Sequence, residues 1–262
     1  MDAYLDRMPI VAILAGLTPD RAEEVGMALV EAGITILEVP LRGADPAASL
    51  ESVRILAKCV GDRALVGAGT VLTTEQVRQV RDAGARLIVS PNMDAAVITE
   101  TRAHGLISLP GVFTPTEAFA AISLGASALK WFPTDGASPK MLKAMLAVLP
   151  KSTPVLAVGG VSVDNVDTWH ATGAKGFGVG SAIWKPNLDA SQVKEQAAAF
   201  ARAVDVARGR RKPPLVQPRS VAAPPFSIVA ARATAAAAAV ALLVALHLSL
   251  SAARRGGGGA AR

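Results

Sequence analysis

Cysteine is almost missing from this chain: Cys59 is the only one in 262 residues, so no internal disulfide can form. No amino-terminal stretch joins a basic start to an apolar core, as a secretory signal would, and the expected setting is reducing and cytoplasmic. Histidine is scarce too. His104, His170 and His247 lie far apart, and no His/Cys/Asp cluster has metal-ligand spacing. Acidic residues are absent from Gly209 onward, where eight of the 27 basic residues fall, leaving 19 basic against 21 acidic in the first 208. The net charge of +6 therefore belongs to the tail, and the body lacks the clustered Lys/Arg of a polyanion-binding surface. No nucleic-acid partner is expected.

What the body does contain is a repeated pair, a short apolar run followed by a longer amphipathic stretch. The runs are Ile10 to Leu14, Ile36 to Val39, Ala64 to Gly69, Leu87 to Ser90, Leu106 to Leu109, Ala128 to Pro133, Pro154 to Val158 and Phe177 to Val179. Helical stretches follow over Arg21 to Glu31, Ala47 to Val60, Thr73 to Ala83, Ala95 to His104, Pro115 to Leu124, Pro139 to Val148, Asn165 to Ala171 and Gln192 to Ala207. Thr18-Pro19-Asp20 and Ser138-Pro139 read as helix starts, Thr73 or Thr74 as a cap, and Gly33, Gly84, Gly105, Gly125 and Gly173 as helix ends. Strands that are apolar throughout, joined by helices, imply a parallel sheet buried on both faces. Eight such units predict an α/β fold, a (β/α)8 TIM barrel over residues 1–208, in preference to an open doubly wound sheet.

Two of the apolar runs carry a charge. Lys130 sits within Ala128-Leu129-Lys130-Trp131-Phe132-Pro133, and burial there disfavours an ammonium unless the side chain snorkels to water or does chemistry. A neutral amine can attack a carbonyl and form a Schiff base. Glu38, in Ile36-Leu37-Glu38-Val39-Pro40, either neutralises that lysine or shuttles protons for it.

Active sites of barrels lie where strands end, and polar and glycine residues gather at those positions here. They are Glu38 with Arg42, Gly67-Ala68-Gly69-Thr70, Ser90-Pro91-Asn92, Pro110-Gly111, Lys130 with Phe132, Val158-Gly159-Gly160 and Gly178-Val179-Gly180-Ser181. Glycines also simply close tight turns. Glycine pairs after strands seven and eight, however, stand where barrels commonly hold phosphate on backbone N–H groups.

Ile36-Leu37-Glu38-Val39-Pro40-Leu41, Gly67-Ala68-Gly69-Thr70-Val71-Leu72, Ser90-Pro91-Asn92, Leu129-Lys130-Trp131-Phe132-Pro133 and Ala157-Val158-Gly159-Gly160-Val161 together resemble the 2-dehydro-3-deoxy-phosphogluconate and phosphogalactonate aldolases. The resemblance covers roughly residues 8 to 205. It implies a class I aldolase, a homotrimer of barrels without metal or cofactor, that cleaves a phosphorylated 2-keto-3-deoxy sugar acid to pyruvate and glyceraldehyde 3-phosphate. By position it implies that Lys130 forms the Schiff base and Glu38 moves protons. Thr70 and Pro91 would hold the pyruvate carboxylate, Phe132 would wall the site, and Gly159, Gly160, Gly180 and Ser181 would bind phosphate. Val158 resembles the galactonate branch, as do Pro9 to Leu14 and Gly16 to Pro19. Two departures keep alternatives open. Ala15 stands where that branch has arginine, so a weakly active phosphosugar-binding barrel is one alternative, and Arg42 resembles the gluconate branch, whose epimer is the other substrate candidate.

Beyond residue 208 the composition changes. Residues 209–232 read as a basic, proline-rich linker that cannot build a core, and residues 233–262 as an alanine-rich apolar tail. Its 21 uncharged residues from Ala233 to Ala253 are long enough for a bilayer but weakly hydrophobic. The readings left open are a weak membrane helix, a disordered or marginally helical tail, and a non-native extension.

Overall fold

The computed structural model describes residues 1–42 and 45–210; the tail reading, and the linker reading apart from Gly209 and Arg210, lie outside the described residues. Local chemistry sets where most helices begin. Side chains of Asp45, Thr73, Asp94, Thr114, Ser138 and Asp189 each accept from the N–H three residues on, opening α3 (Pro46–Val60), α4 (Thr74–Asp82), α5 (Ala95–Ala103), α6 (Pro115–Ser123), α7 (Pro139–Val148) and α9 (Ala190–Ala207). Thr114 with Glu117 and Asp189 with Gln192 complete capping boxes. α2 (Pro19–Glu31) starts at the expected Thr18 with proline at its head, but the Thr18 hydroxyl makes no cap bond. The five glycines expected at helix ends all take positive φ, between 69° and 116°, the conformation that stops a helix at least cost. α8 spans Val166–Thr172.

These helices alternate with parallel strands: β1 (Ile10–Ile13), β2 (Ile36–Pro40), β3 (Leu65–Gly69), β4 (Leu87–Val89), β5 (Ile107–Leu109), β6 (Gly111–Val112), β7 (Leu129–Trp131), β8 (Val155–Val158) and β9 (Gly176–Val179). The order is β5-β4-β3-β2-β1-β9-β8-β7-β6. Nine strands stand where eight were expected because the fifth is split at Pro110. Leu109 pairs with Val89 on one side, Gly111 pairs with Lys130 on the other, and the Pro110 oxygen accepts from Lys130 N at 2.9 Å. Proline has no N–H to donate, so the ladder breaks at that residue while the chain runs on and closes the barrel.

Alternation along each strand divides the apolar side chains between two regions. One face packs beneath the helices, with Leu37, Val39, Val66, Ala68, Ile88, Leu129, Trp131, Ala157 and Phe177. The other fills the barrel interior with Val11, Ile36, Leu65, Leu87, Val89, Leu109, Ala128, Leu156 and Val158. Leu5, on an unpredicted helix α1 (Asp2–Arg7), joins that interior cluster and covers its lower end. At the other end of α9, Arg208 donates to the Asp6 carbonyl and Arg210 to those of Asp6 and Arg7. Among the described residues, no helix is long and apolar enough to cross a membrane.

Candidate active site

Glu38 and Lys130 share the interior face, one step above the apolar layer, because each lies two residues beyond an interior residue, Ile36 in β2 and Ala128 just before β7. Among the described residues they are the only buried charged side chains, at 2% and 8% exposure. Space for them comes from glycine. Gly69 lies on the same face of β3 as Leu65, and a Cβ built on it would fall on the Glu38 carboxyl. Gly178 on β9 is likewise closed to a side chain, since its Cβ would stand 2.7 Å from Val158 Cγ2.

The resulting cavity, about 370 Å³, opens where the strands end and is lined by all eleven candidate residues: Glu38, Arg42, Thr70, Pro91, Lys130, Phe132, Val158, Gly159, Gly160, Gly180 and Ser181. Ile13, Pro40, Val161, Gly178 and Ala182 complete the lining. None of those five was assigned as a site residue from the sequence, although Pro40, Val161 and Gly178 belong to motifs singled out there, Ala182 adjoins one, and Ile13 follows from alternation with Val11. Ala15 does not line the cavity; its carbonyl accepts from Trp184 Nε1 at 3.0 Å.

The electrostatics favour chemistry over mutual neutralisation. No ion pair within 4.0 Å joins Glu38 to Lys130 among the described residues, whose ion pairs are made by other groups. Lys130 Nζ stands 4.8 Å from the Phe132 ring centroid. Glu38 Oε2 is buried with no hydrogen-bond partner. Burial pushes the Glu38 carboxyl above the usual carboxylate range, against the weaker pull of Lys130 and then Arg42. A desolvated acid facing a cavity and lacking a partner is poised to take or give a proton to whatever enters.

The rim is braced by its neighbours. Thr70 takes φ 55°, the only non-glycine with positive φ among the described residues, a strain of order 1–3 kcal/mol for such a position. It is held between Leu41 N, which donates to Gly69 O at 2.7 Å, and Val71 N, which donates to Val89 O at 3.2 Å. The buried Ser90 hydroxyl also donates to Val71 O at 2.7 Å. Across the mouth, the N–H groups of Gly159, Gly160, Val161, Gly180 and Ser181 have no acceptor among the described residues. His104, by contrast, belongs to a surface cluster with Arg81 and Glu100 away from the cavity.

A closed parallel barrel with its polar cavity at the strand ends, holding a buried lysine and a buried glutamate, defines a TIM-barrel enzyme. The chain belongs to the KDPG and KHG aldolase family, whose sequence profile matches residues 1–199, and it is accordingly an aldolase, a carbon–carbon lyase. It is 46% identical over 201 residues to the "Probable 2-dehydro-3-deoxy-6-phosphogalactonate aldolase" of Rhizobium meliloti (strain 1021), covering 77% of this chain and 93% of that one. It is 40% identical over 197 residues to the 2-dehydro-3-deoxy-6-phosphogalactonate aldolase of Escherichia coli (strain K12), covering 75% and 95%. A solved structure described as native KDPGal superposes with a TM-score of 0.74 at 39% identity, over 78% of this chain and 97% of that one.

Proposed function

We propose that the enzyme cleaves 2-dehydro-3-deoxy-6-phosphogalactonate to pyruvate and glyceraldehyde 3-phosphate through a Schiff base on Lys130, with Glu38 as the proton shuttle. The observation that carries this reading is that the only two buried charged side chains among the described residues line one cavity without pairing to each other. The names of the two relatives support the choice of the galactonate substrate.

The chemistry runs as follows. The Lys130 amine attacks C2 and a C–N bond forms; the former carbonyl oxygen takes one proton from that nitrogen and one from the Glu38 carboxyl and leaves as water, giving the protonated imine and the Glu38 carboxylate. Glu38 takes the proton of the C4 hydroxyl as the C3–C4 bond breaks, and that bond's electron pair moves onto the imine. The aldehyde departs, Glu38 returns a proton to C3, and water releases pyruvate and regenerates Lys130. A raised carboxyl pKa serves both proton steps, because the acid and base forms are then closer in energy near neutral pH. Thr70, Pro91 and Arg42 are assigned to the carboxylate end, Phe132 to the wall, Val158 to the middle carbons, and Gly159, Gly160, Gly180 and Ser181 to the phosphate.

Arg42 in the cavity favours one second reading, action on the gluconate epimer. A homotrimer in the cytoplasm, with residues 1–208 as its catalytic domain, completes the proposal; the exposed Phe113 and Phe119 beside and on α6 offer apolar surface for subunit contact. The test is borohydride reduction in the presence of pyruvate, followed by mass spectrometry and by aldolase assays with both epimers. An adduct on Lys130 is expected. Adduct on Lys140 or Lys143, or none, would sink the assignment.

A further inference from the structure

Gly159 and Gly160 turn at φ 114° and 61°. Two polar residues outside the cavity pack against them. A Cβ on Gly159 would stand 2.9 Å from Thr134 N and 3.0 Å from Asp135 Oδ2, and one on Gly160 would stand 3.1 Å from Asp135 Cγ. Gly159, Gly160 and Val161 line the cavity, whereas Thr134 and Asp135 do not. The glycines thus separate a polar support from the space that receives the ligand.

Thr134 and Asn165 hold the two glycine carbonyls. Thr134, 2% exposed, donates its hydroxyl to Gly159 O, and its own N–H donates to Val158 O at 3.0 Å. Asn165 donates Nδ2 to Gly160 O at 2.9 Å, while its Oδ1 accepts from Ser162 N at 2.9 Å. Asn165 precedes α8 but makes no side-chain cap bond to it, so its amide serves the turn instead. A trans peptide is planar, and its C=O and N–H point in opposite directions. Fixing the Gly159 carbonyl therefore aims Gly160 N–H, and fixing the Gly160 carbonyl aims Val161 N–H. Neither N–H has an acceptor among the described residues. Two successive free N–H groups in a concave turn form an anion nest.

We propose that Thr134 and Asn165 are positioning residues that aim the Gly160 and Val161 N–H groups at the substrate's phosphate. The inference rests on the aldolase reading only for the identity of the molecule that carries the phosphate. It is tested by titrating the isotope-labelled full chain with inorganic phosphate and following the Gly160 and Val161 amide resonances. Wild type should show saturable shifts at both. Thr134→Val and Asn165→Ala should each weaken phosphate binding by about tenfold, the scale of one charge-assisted hydrogen bond misdirected, and Thr134→Ser should restore it. In condensation with pyruvate, the preference for glyceraldehyde 3-phosphate over unphosphorylated glyceraldehyde should fall by a similar factor in both variants. Equal losses for the two aldehydes, phosphate affinity unchanged in both variants, or shifts confined to other amides would overturn the proposal. Should wild type form no Lys130 adduct with pyruvate, the aldolase assignment fails and the phosphate titration still decides the nest. If Thr134→Val does not fold, Asn165→Ala carries the comparison.

Discussion

Replacing Glu38 with glutamine is expected to slow turnover at least ~100-fold, as loss of a general acid–base group typically does, while removing a pH-dependent load on the fold. The side chain is 2% exposed, its Oε2 has no partner, and burial raises its pKa more than Lys130 and Arg42 lower it. The sign follows from proton counting. Between the unfolded carboxyl pKa, about 4.3, and the higher folded value, the folded state binds more protons than the unfolded one. Stability from this group is therefore fully present below the unfolded pKa and is lost as pH rises through the folded pKa. The loss is about 1.4 kcal/mol for each pH unit of that window, and each kcal/mol moves the melting temperature of a barrel this size by roughly 2–4 °C. Glutamine does not titrate. The stability advantage of wild type over Glu38→Gln should therefore shrink or reverse as pH rises through the window. Thermal melts of both proteins from acid to neutral pH, with kcat measured alongside, check both halves. A near-normal rate, or a wild-type advantage that grows with pH, would refute the reasoning.

Three further outcomes are expected. Gly69→Ala places a methyl on the Glu38 carboxyl and should cost about 1–3 kcal/mol by overpacking together with a clear loss of turnover; an unchanged melting temperature would mean that Glu38 has room to move. Val158→Thr puts a hydroxyl where the cavity now has a methyl and should shift the epimer preference toward gluconate by a few-fold to about tenfold, read from kcat/KM on both epimers. A chain ending at Arg210 should keep the aldolase activity of the full chain, whereas one ending at Ala207 loses the Arg208 and Arg210 bonds to α1 and should melt lower by a few degrees; inactivity of the longer fragment would move the domain boundary into the tail.

Much of the architecture was legible before any coordinates because its signals are local. The Thr73 and Ser138 caps, the prolines at the heads of α2 and α7 and the glycines at helix ends act within one turn, and with the apolar pattern they placed the major helices to within a few residues. The caps at Asp45, Asp94, Thr114 and Asp189 were not read from the sequence. Apolar runs of strand length, each followed by a helix, implied a parallel barrel, and the motifs at the run ends named eleven residues that line a single cavity. The exceptions are equally physical. Pro110 reads as the start of a loop, and only its place between two paired segments makes it the break in a strand. The Thr18 hydroxyl has the right chemistry and position for a cap, yet it makes no such bond.

What tertiary structure alone decided is the height and direction of the polar groups inside the barrel. Period-two alternation assigns neighbouring residues of a strand to opposite faces, but register across eight strand junctions determines which layer each face reaches. Lys130 and Glu38 are 92 positions apart in sequence, and whether they pair or merely share a cavity depends on that register and on Gly69 vacating the interior. Residue types likewise cannot say which way a peptide plane faces. The bonds from Thr134 and Asn165 to the glycine carbonyls connect the loops after β7 and β8, so the direction of the Gly160 and Val161 N–H groups exists only once those loops are packed together.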